Sequence, residues 1–235
     1  MVDFEPKIRD LGPDIERLNE CAKFVNTDKK LERILEIILH VGNFLNAGNT
    51  RLGAAIGFHL ETLSKLHDTK TSDNKSTVFE VLVEMIKDQQ PNIVTFPKNE
   101  LELMDEGARI SLQTVESELN KLIKDFAAVS ETYPKITKVD DEDLFQDRFT
   151  KFADKAKVML EELETKFKAA NQSYIDVVTI FGEDPKTMSP EDFFAIWKGF
   201  ISKIVETCEK IDVEREKREK ERKREELKMK KEQEA

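Results

Sequence analysis

From Leu101 to Val129, and again from Phe145 to Phe181, large apolar residues return every three or four positions with polar residues between them. That spacing is the period of an α-helix carrying one apolar stripe; a strand would alternate every second residue. The first stripe runs Leu101, Met104, Ala108, Leu112, Val115, Leu119, Leu122, Phe126, Val129, with a single four-four step from Ala108 to Leu112. The second runs Phe145, Phe149, Phe152, Ala156, Met159, Leu163, Phe167, Ala170, Tyr174, Val177, Phe181. Between them lie Tyr133-Pro134 and the acidic stretch from Asp140 to Asp143. Two such helices with a short connection are expected to form a long antiparallel coiled-coil-like hairpin over residues 99–182. Eight glycines and seven prolines in 235 residues leave few turns, so the predicted class is all-α: an elongated helical bundle with a globular part beside the hairpin.

The globular part is predicted over residues 1–98. Ile8, Leu11, Ile15, Leu18 and Ala22 mark an amphipathic helix, interrupted by Gly12-Pro13 and expected to bend or break there. Thr27 is positioned to cap a second helix. Its apolar residues, Leu31, Ile34, Leu35, Ile38 and Leu39, cover two sides and predict deep burial. A short helix over about residues 59–67 and a polar loop from Asp68 to Lys75 follow. Val78, Phe79, Val81, Leu82, Met85 and Ile86 then predict a buried helix that ends before Pro91 and Pro97.

Downstream of the hairpin, Gly182 has the place of a left-handed helix stop, and Ser189-Pro-Glu-Asp192 reads as a capped start. The helix it opens is apolar over most of its girth. Residues 183–211 are therefore expected to pack back on the globule. From Asp212 on, ten Lys or Arg stand against nine Asp or Glu, with Glu–Lys and Glu–Arg pairs at i, i+4. Residues 212–235 thus read as a solvated helical or frayed tail with no seam for a partner helix.

Several function classes are disfavoured by composition. A net charge of −10 does not suit phosphate-backbone binding, so no nucleic acid is expected. No apolar run approaches the ~20 residues of a transmembrane helix, and the first residues carry no signal-peptide pattern. Cys21 and Cys208 stand in apolar patterns without metal-ligand spacing and read as buried free thiols of a reducing compartment. His40, His59 and His67 have no second ligand at helical spacing and no nucleophile beside them. Neither catalytic residue nor metal nor cofactor is predicted, and the expectation is a binding protein rather than an enzyme.

The stretch Gly42–Phe58 stands apart, holding four of the eight glycines and three asparagines. Glycine permits positive φ and close backbone approach, and asparagine closes turns through its own amide. The run lacks a Walker lysine, G-x-G-x-x-G and a preceding strand, so a nucleotide cradle is not expected. Small residues at Gly42, Ala47, Gly48, Gly53, Ala54, Ala55 and Gly57 instead leave room for another polypeptide.

Gly42-Asn-Phe-Leu-Asn46 followed by Ala47-Gly48, then Gly53-Ala-Ala-Ile-Gly-Phe58, Leu63-Ser-Lys-Leu66 and Asp68-Thr-Lys70, resembles the signature run of the formin homology-2 domain. Phe96-Pro97 and Ser189-Pro-Glu-Asp-Phe-Phe194 are similar to diaphanous-type formins, and the resemblance extends from about Phe4 to the tail. It implies a cytoplasmic, cytoskeleton-associated protein that binds actin and another formin chain, contributing to filament nucleation and barbed-end elongation. In that family an N-terminal lasso of one subunit encircles a post on the other. The resemblance places the 42–58 loop in the post, with Gly42, Asn43, Asn46, Gly48, Gly53, Gly57 and Phe58 as the lasso groove. It makes Lys70 and Lys75 the candidates for actin contact. The family's tryptophan-bearing lasso, linker and knob precede the part matched here, so this chain by itself is expected to close no ring and to nucleate weakly. The alternative is a helical scaffold without actin activity, or a formin fragment that docks to actin without nucleating.

Overall fold

The computed structural model describes residues 4–49, 54–137, 140 and 143–233. The fold is all-α, with 79% of the described residues helical and no strand among them. Contacts gather the chain into two units, one of residues 1–26 and 103–195, the other of residues 27–102 and 196–235. The first helix therefore belongs with the hairpin and not with residues 27–98, contrary to a globule of 1–98.

In the first unit, α1 (Phe4–Thr27), α6 (Leu112–Thr132) and α7 (Phe145–Ile180) pack together. The hairpin is antiparallel, since Leu122 packs with Ala156 and Leu160 while Tyr133, farther along α6, meets Phe149 at 4.4 Å. α1 lies alongside α7 in the same direction: Glu5 pairs with Lys155 at 3.0 Å, Glu16 with Lys166 at 2.6 Å, and the Ser173 hydroxyl donates to Asn19 Oδ1 at 3.0 Å. The reason is the stripe Leu11, Ile15, Leu18 and Ala22, each at most 3% exposed, which needs an apolar partner of equal length. Phe4 closes one end, 5.9 Å from Phe126 and 5.5 Å from Phe152.

Two expectations about breaks are corrected. α1 runs through Pro13 without interruption. Proline removes the N–H that would bond the Arg9 carbonyl, but both residues are exposed and water can take that carbonyl. Conversely, the stripe from Leu101 to Val129 is not one helix: α5 (Lys98–Gly107) ends and α6 begins at Leu112. The four-four step falls on this break, where Ile110 turns inward, 5% exposed.

α7 ends as its glycine predicts. Gly182 has φ +76°, its N–H bonds the Thr179 carbonyl at 3.0 Å, and the Glu183 N–H bonds the Val178 carbonyl at 3.1 Å, which is a Schellman stop. α8 (Pro190–Gln233) begins with the Ser189 hydroxyl accepting from the Asp192 N–H at 3.1 Å.

The second unit contains α2 (Lys29–Leu45), α3 (Glu61–Lys65), α4 (Val78–Gln89), a 3-10 turn (Pro91–Val94) and α8 from Ile196 onward. The cap of α2 is Asp28 and not Thr27; its carboxylate accepts from the Lys30 and Leu31 N–H groups. α2 buries one face, Leu31, Ile34 and Ile38, and leaves Leu35 and Leu39 half-covered, so it is less deeply enclosed than its composition suggests. α4 starts in a capping box between Thr77 and Glu80. It packs on α8, with Phe79 against Phe200 at 6.1 Å and the Lys87 ammonium donating to the Cys208 carbonyl at 2.8 Å.

Candidate partner-docking site

Gly42 and Asn43 are not loop residues; they occupy the last turn of α2. The turn proper starts at Asn46, whose N–H and side-chain amide both donate to the Gly42 carbonyl, at 3.1 and 2.9 Å. Asn46 thus satisfies a carbonyl that the helix end leaves open. Ala47 N–H bonds the Phe44 carbonyl and Asn49 N–H the Asn46 carbonyl. Gly48 then takes φ +90°, a conformation that a Cβ would strain.

Asn43 ties the far side of the loop back to the helix. Its amide nitrogen donates to the Ala55 carbonyl at 2.9 Å, and its amide oxygen accepts from the Ala55 N–H at 2.9 Å. The pair imitates one rung of a sheet ladder and fixes residues near Ala55 against α2 without a strand. The two asparagines are accordingly the clips of the loop, and whatever binds there meets the surface they hold.

That surface is open. A Cβ built on Gly42, Gly48 or Gly57 meets no atom of the described residues beyond its own neighbours within 4 Å. Phe44 is 78% exposed, Leu45 62% and Ile56 100%. Phe58 is half-buried, and Leu60 and Leu63 behind it are buried in the unit. Gly53 lies outside the described residues. Sequence reasoning named the small residues and passed over Phe44, Leu45 and Ile56, which give the edge its apolar character. Their signal was present: the buried stripe of α2 closes with Ile38, while Phe44-Leu45 continues apolar a turn beyond it. Exposed apolar side chains grouped on an ordered turn make this edge a candidate docking surface.

Lys70 and Lys75 sit in a separate small hairpin. Lys70 forms an antiparallel bridge with Thr77, the Thr71 N–H bonds the Ser76 carbonyl at 2.9 Å, and the Val78 N–H bonds the Thr69 carbonyl at 2.8 Å. Asn74 supplies the left-handed residue, φ 56°. The Asp73 carboxylate accepts from the Thr71 hydroxyl at 2.6 Å and the Lys75 N–H at 3.2 Å, and these bonds hold it below the usual carboxylate range. Both lysine side chains are exposed, without an ion-pair partner among the described residues.

No other chemistry gathers at either place. His40 and His59 are exposed; His67 is half-buried, its ring 4.1 Å from Phe79, and burial together with Lys203 pushes it below the ordinary imidazole range. Among the described residues no group of three metal-ligating side chains converges, and no helix is long and apolar enough to cross a membrane. Cys21 is buried, its thiol pushed up to about 12 by desolvation, whereas Cys208 is only half-buried, against the expectation of two buried thiols.

Comparison with known proteins bears on the same residues. A family model described as the Formin Homology 2 Domain matches residues 1–204. Formin-F of Dictyostelium discoideum is 32% identical over 214 residues, covering 91% of this chain and 17% of that protein. Protein diaphanous homolog 3 of Homo sapiens is 28% identical over 218 residues, 92% of this chain and 18% of its own length. Disheveled-associated activator of morphogenesis 2 of Mus musculus is 27% identical over 218 residues, 92% and 19% respectively. The chain spans less than a fifth of the length of each. With Asn43 and Asn46 of the signature run clipping an exposed turn and the family match extending through residue 204, this chain belongs to the formin homology 2 family.

Proposed function

We propose that this chain is an actin-binding part of a formin, contributing to filament nucleation and barbed-end elongation at the cytoskeleton. It acts by binding and without catalytic chemistry of its own. The edge of Gly42, Asn43, Asn46, Gly48, Gly53, Gly57 and Phe58 receives the lasso of another formin chain, and Lys70 and Lys75 contact actin. The observation that carries the reading is the clipped, open turn. Bare glycine backbone stands beside exposed Phe44, Leu45 and Ile56, which suits an extended segment with bulky side chains.

The acidic net charge of −10 disfavours unspecific attraction to other acidic surfaces, so contact with actin rests on local cations. The lysine hairpin supplies two of them on a backbone held by its own hydrogen bonds. Co-sedimentation with actin filaments tests this. The wild-type chain is expected to pellet with filaments, and Lys70→Ala combined with Lys75→Ala to weaken binding about three- to tenfold, the scale of losing two exposed charge contacts. Equal pelleting of the double variant would remove these lysines from the interface. No pelleting of the wild-type chain would favour a helical scaffold that leaves actin alone.

A further inference from the structure

The packed part of α8 ends at Ile211, 8% exposed, yet the helix continues to Gln233. At this point it is held to α4 by interleaved ion pairs. Lys210 meets Glu80 at 2.6 Å, Asp212 meets Lys87 at 2.6 Å, and the Arg215 guanidinium spans Asp88 at 2.7 Å and Glu84 at 3.3 Å. The Lys210 ammonium, with the Thr77 N–H, holds the Glu80 carboxyl below its usual range.

Beyond Arg215 every residue from Glu216 to Met229 is exposed, Leu227 and Met229 included. A helix with no packed face ordinarily frays, because most helical stability in proteins comes from such a face. Here i, i+4 ion pairs line the exposed surface: Glu214 with Arg218, Glu216 with Lys220, Glu219 with Lys223 and Arg222 with Glu226. Three of the four run acid first, the favourable order. Val213, Leu227 and Met229 are its only large apolar residues; Val213 and Leu227 stand two heptads apart, but Lys217, Lys220 and Arg224 fill the seam positions between them, so there is no continuous apolar seam along which a second helix would supply the missing packing.

We infer that residues 216–233 form a free-standing strut, stiffened by its own ion pairs and aimed by the Arg215 clamp on α4. At 1.5 Å per residue it extends about 27 Å beyond the clamp. A partner engaging its far end is thereby met at a set distance and direction from the second unit, which a flexible tail would not provide.

Spin labels test both properties in the full chain. In a Cys208→Ala background, with buried Cys21 left unreactive, labels at Glu209→Cys and Leu227→Cys lie five helical turns apart on one face. A single narrow distance near about 27 Å is expected. Glu216→Lys, Glu219→Lys and Glu226→Lys together turn three of the pairs repulsive and are expected to broaden it about twofold or more. A second label pair, Val81→Cys and Leu227→Cys, reads direction: Arg215→Glu should broaden this pair while the 209–227 distance stays narrow. A broad 209–227 distribution in the wild-type pattern overturns the strut, and a narrow one in the triple variant overturns its ion-pair origin. Narrowing that appears only as protein concentration rises assigns the stiffness to a second copy and also overturns it. A Val81–Leu227 distance untouched by Arg215→Glu overturns the clamp.

Discussion

Replacing Gly107 by alanine is expected to destabilise the first unit by about 1–3 kcal/mol, the range for an extra methyl forced into a close-packed interior. Helix propensity alone predicts the opposite sign, since alanine is favoured over glycine by about 0.5–1 kcal/mol. The interior decides: a Cβ on Gly107 would stand 2.7 Å from Cys21 Sγ and 3.2 Å from two ring carbons of Phe194. Cys21 and Phe194 are each 0% exposed, so neither has free space to retreat into. The sulfur is further fixed by its bond to the Leu103 carbonyl at 3.2 Å. Denaturant melts of Gly107→Ala, Cys21→Ala and the double variant separate the terms. The double variant is expected to recover about 1 kcal/mol relative to the sum of the single changes. Additive losses would mean that the sulfur contact is not the source.

Trp197→Ala is expected to cost the second unit about 3–5 kcal/mol, the range for a large aromatic removed from a core. Trp197 is 0% exposed and lies edge-on to Phe200, 6.3 Å between centroids, which in turn meets Phe79 of α4. Its loss would empty the region where α8 packs on α4. Circular dichroism at 222 nm is the suitable probe, because the substitution also removes the only tryptophan. The thermal midpoint should fall by about 10 °C for a chain of this size. A fall of a degree or two would place the indole in a site that collapses around it.

The helices and their stops were legible because each depends on neighbours in sequence. Gly182 and Ser189 act through bonds that span three to five residues, and those are written in the local order. What could not be read depends on contacts between distant segments. Pro13 is tolerated because its side of α1 faces water, a property of the packing against α7 and not of the proline. α1 joins the hairpin because its stripe of Leu11, Ile15, Leu18 and Ala22 finds cover there, beside Lys155 and Lys166, which pair with Glu5 and Glu16 from 150 residues away. The Thr27 cap fell one residue short because Asp28, the stronger acceptor, stands next to it. In the docking edge the small residues were visible in the sequence, but the Asn43–Ala55 clip was not. The exposure of Phe44 and Ile56 follows from where α2 stops being covered, which only the packed unit defines.

The edge at Gly42 carries the functional account, and Gly42 is the position at which to test it. It lies in a helical turn without positive φ, and a Cβ there meets no atom of the described residues outside its own turn within 4 Å. The measurement is the affinity of a tryptophan-containing formin lasso peptide for the wild-type chain, for Gly42→Ala and for Gly42→Trp, with a thermal melt of each. The account predicts unchanged melting of Gly42→Trp with binding weakened about tenfold or more, a loss of about 1.4 kcal/mol, and Gly42→Ala in between. Full affinity in the Gly42→Trp chain would contradict it, because an indole standing on the open edge would then obstruct nothing.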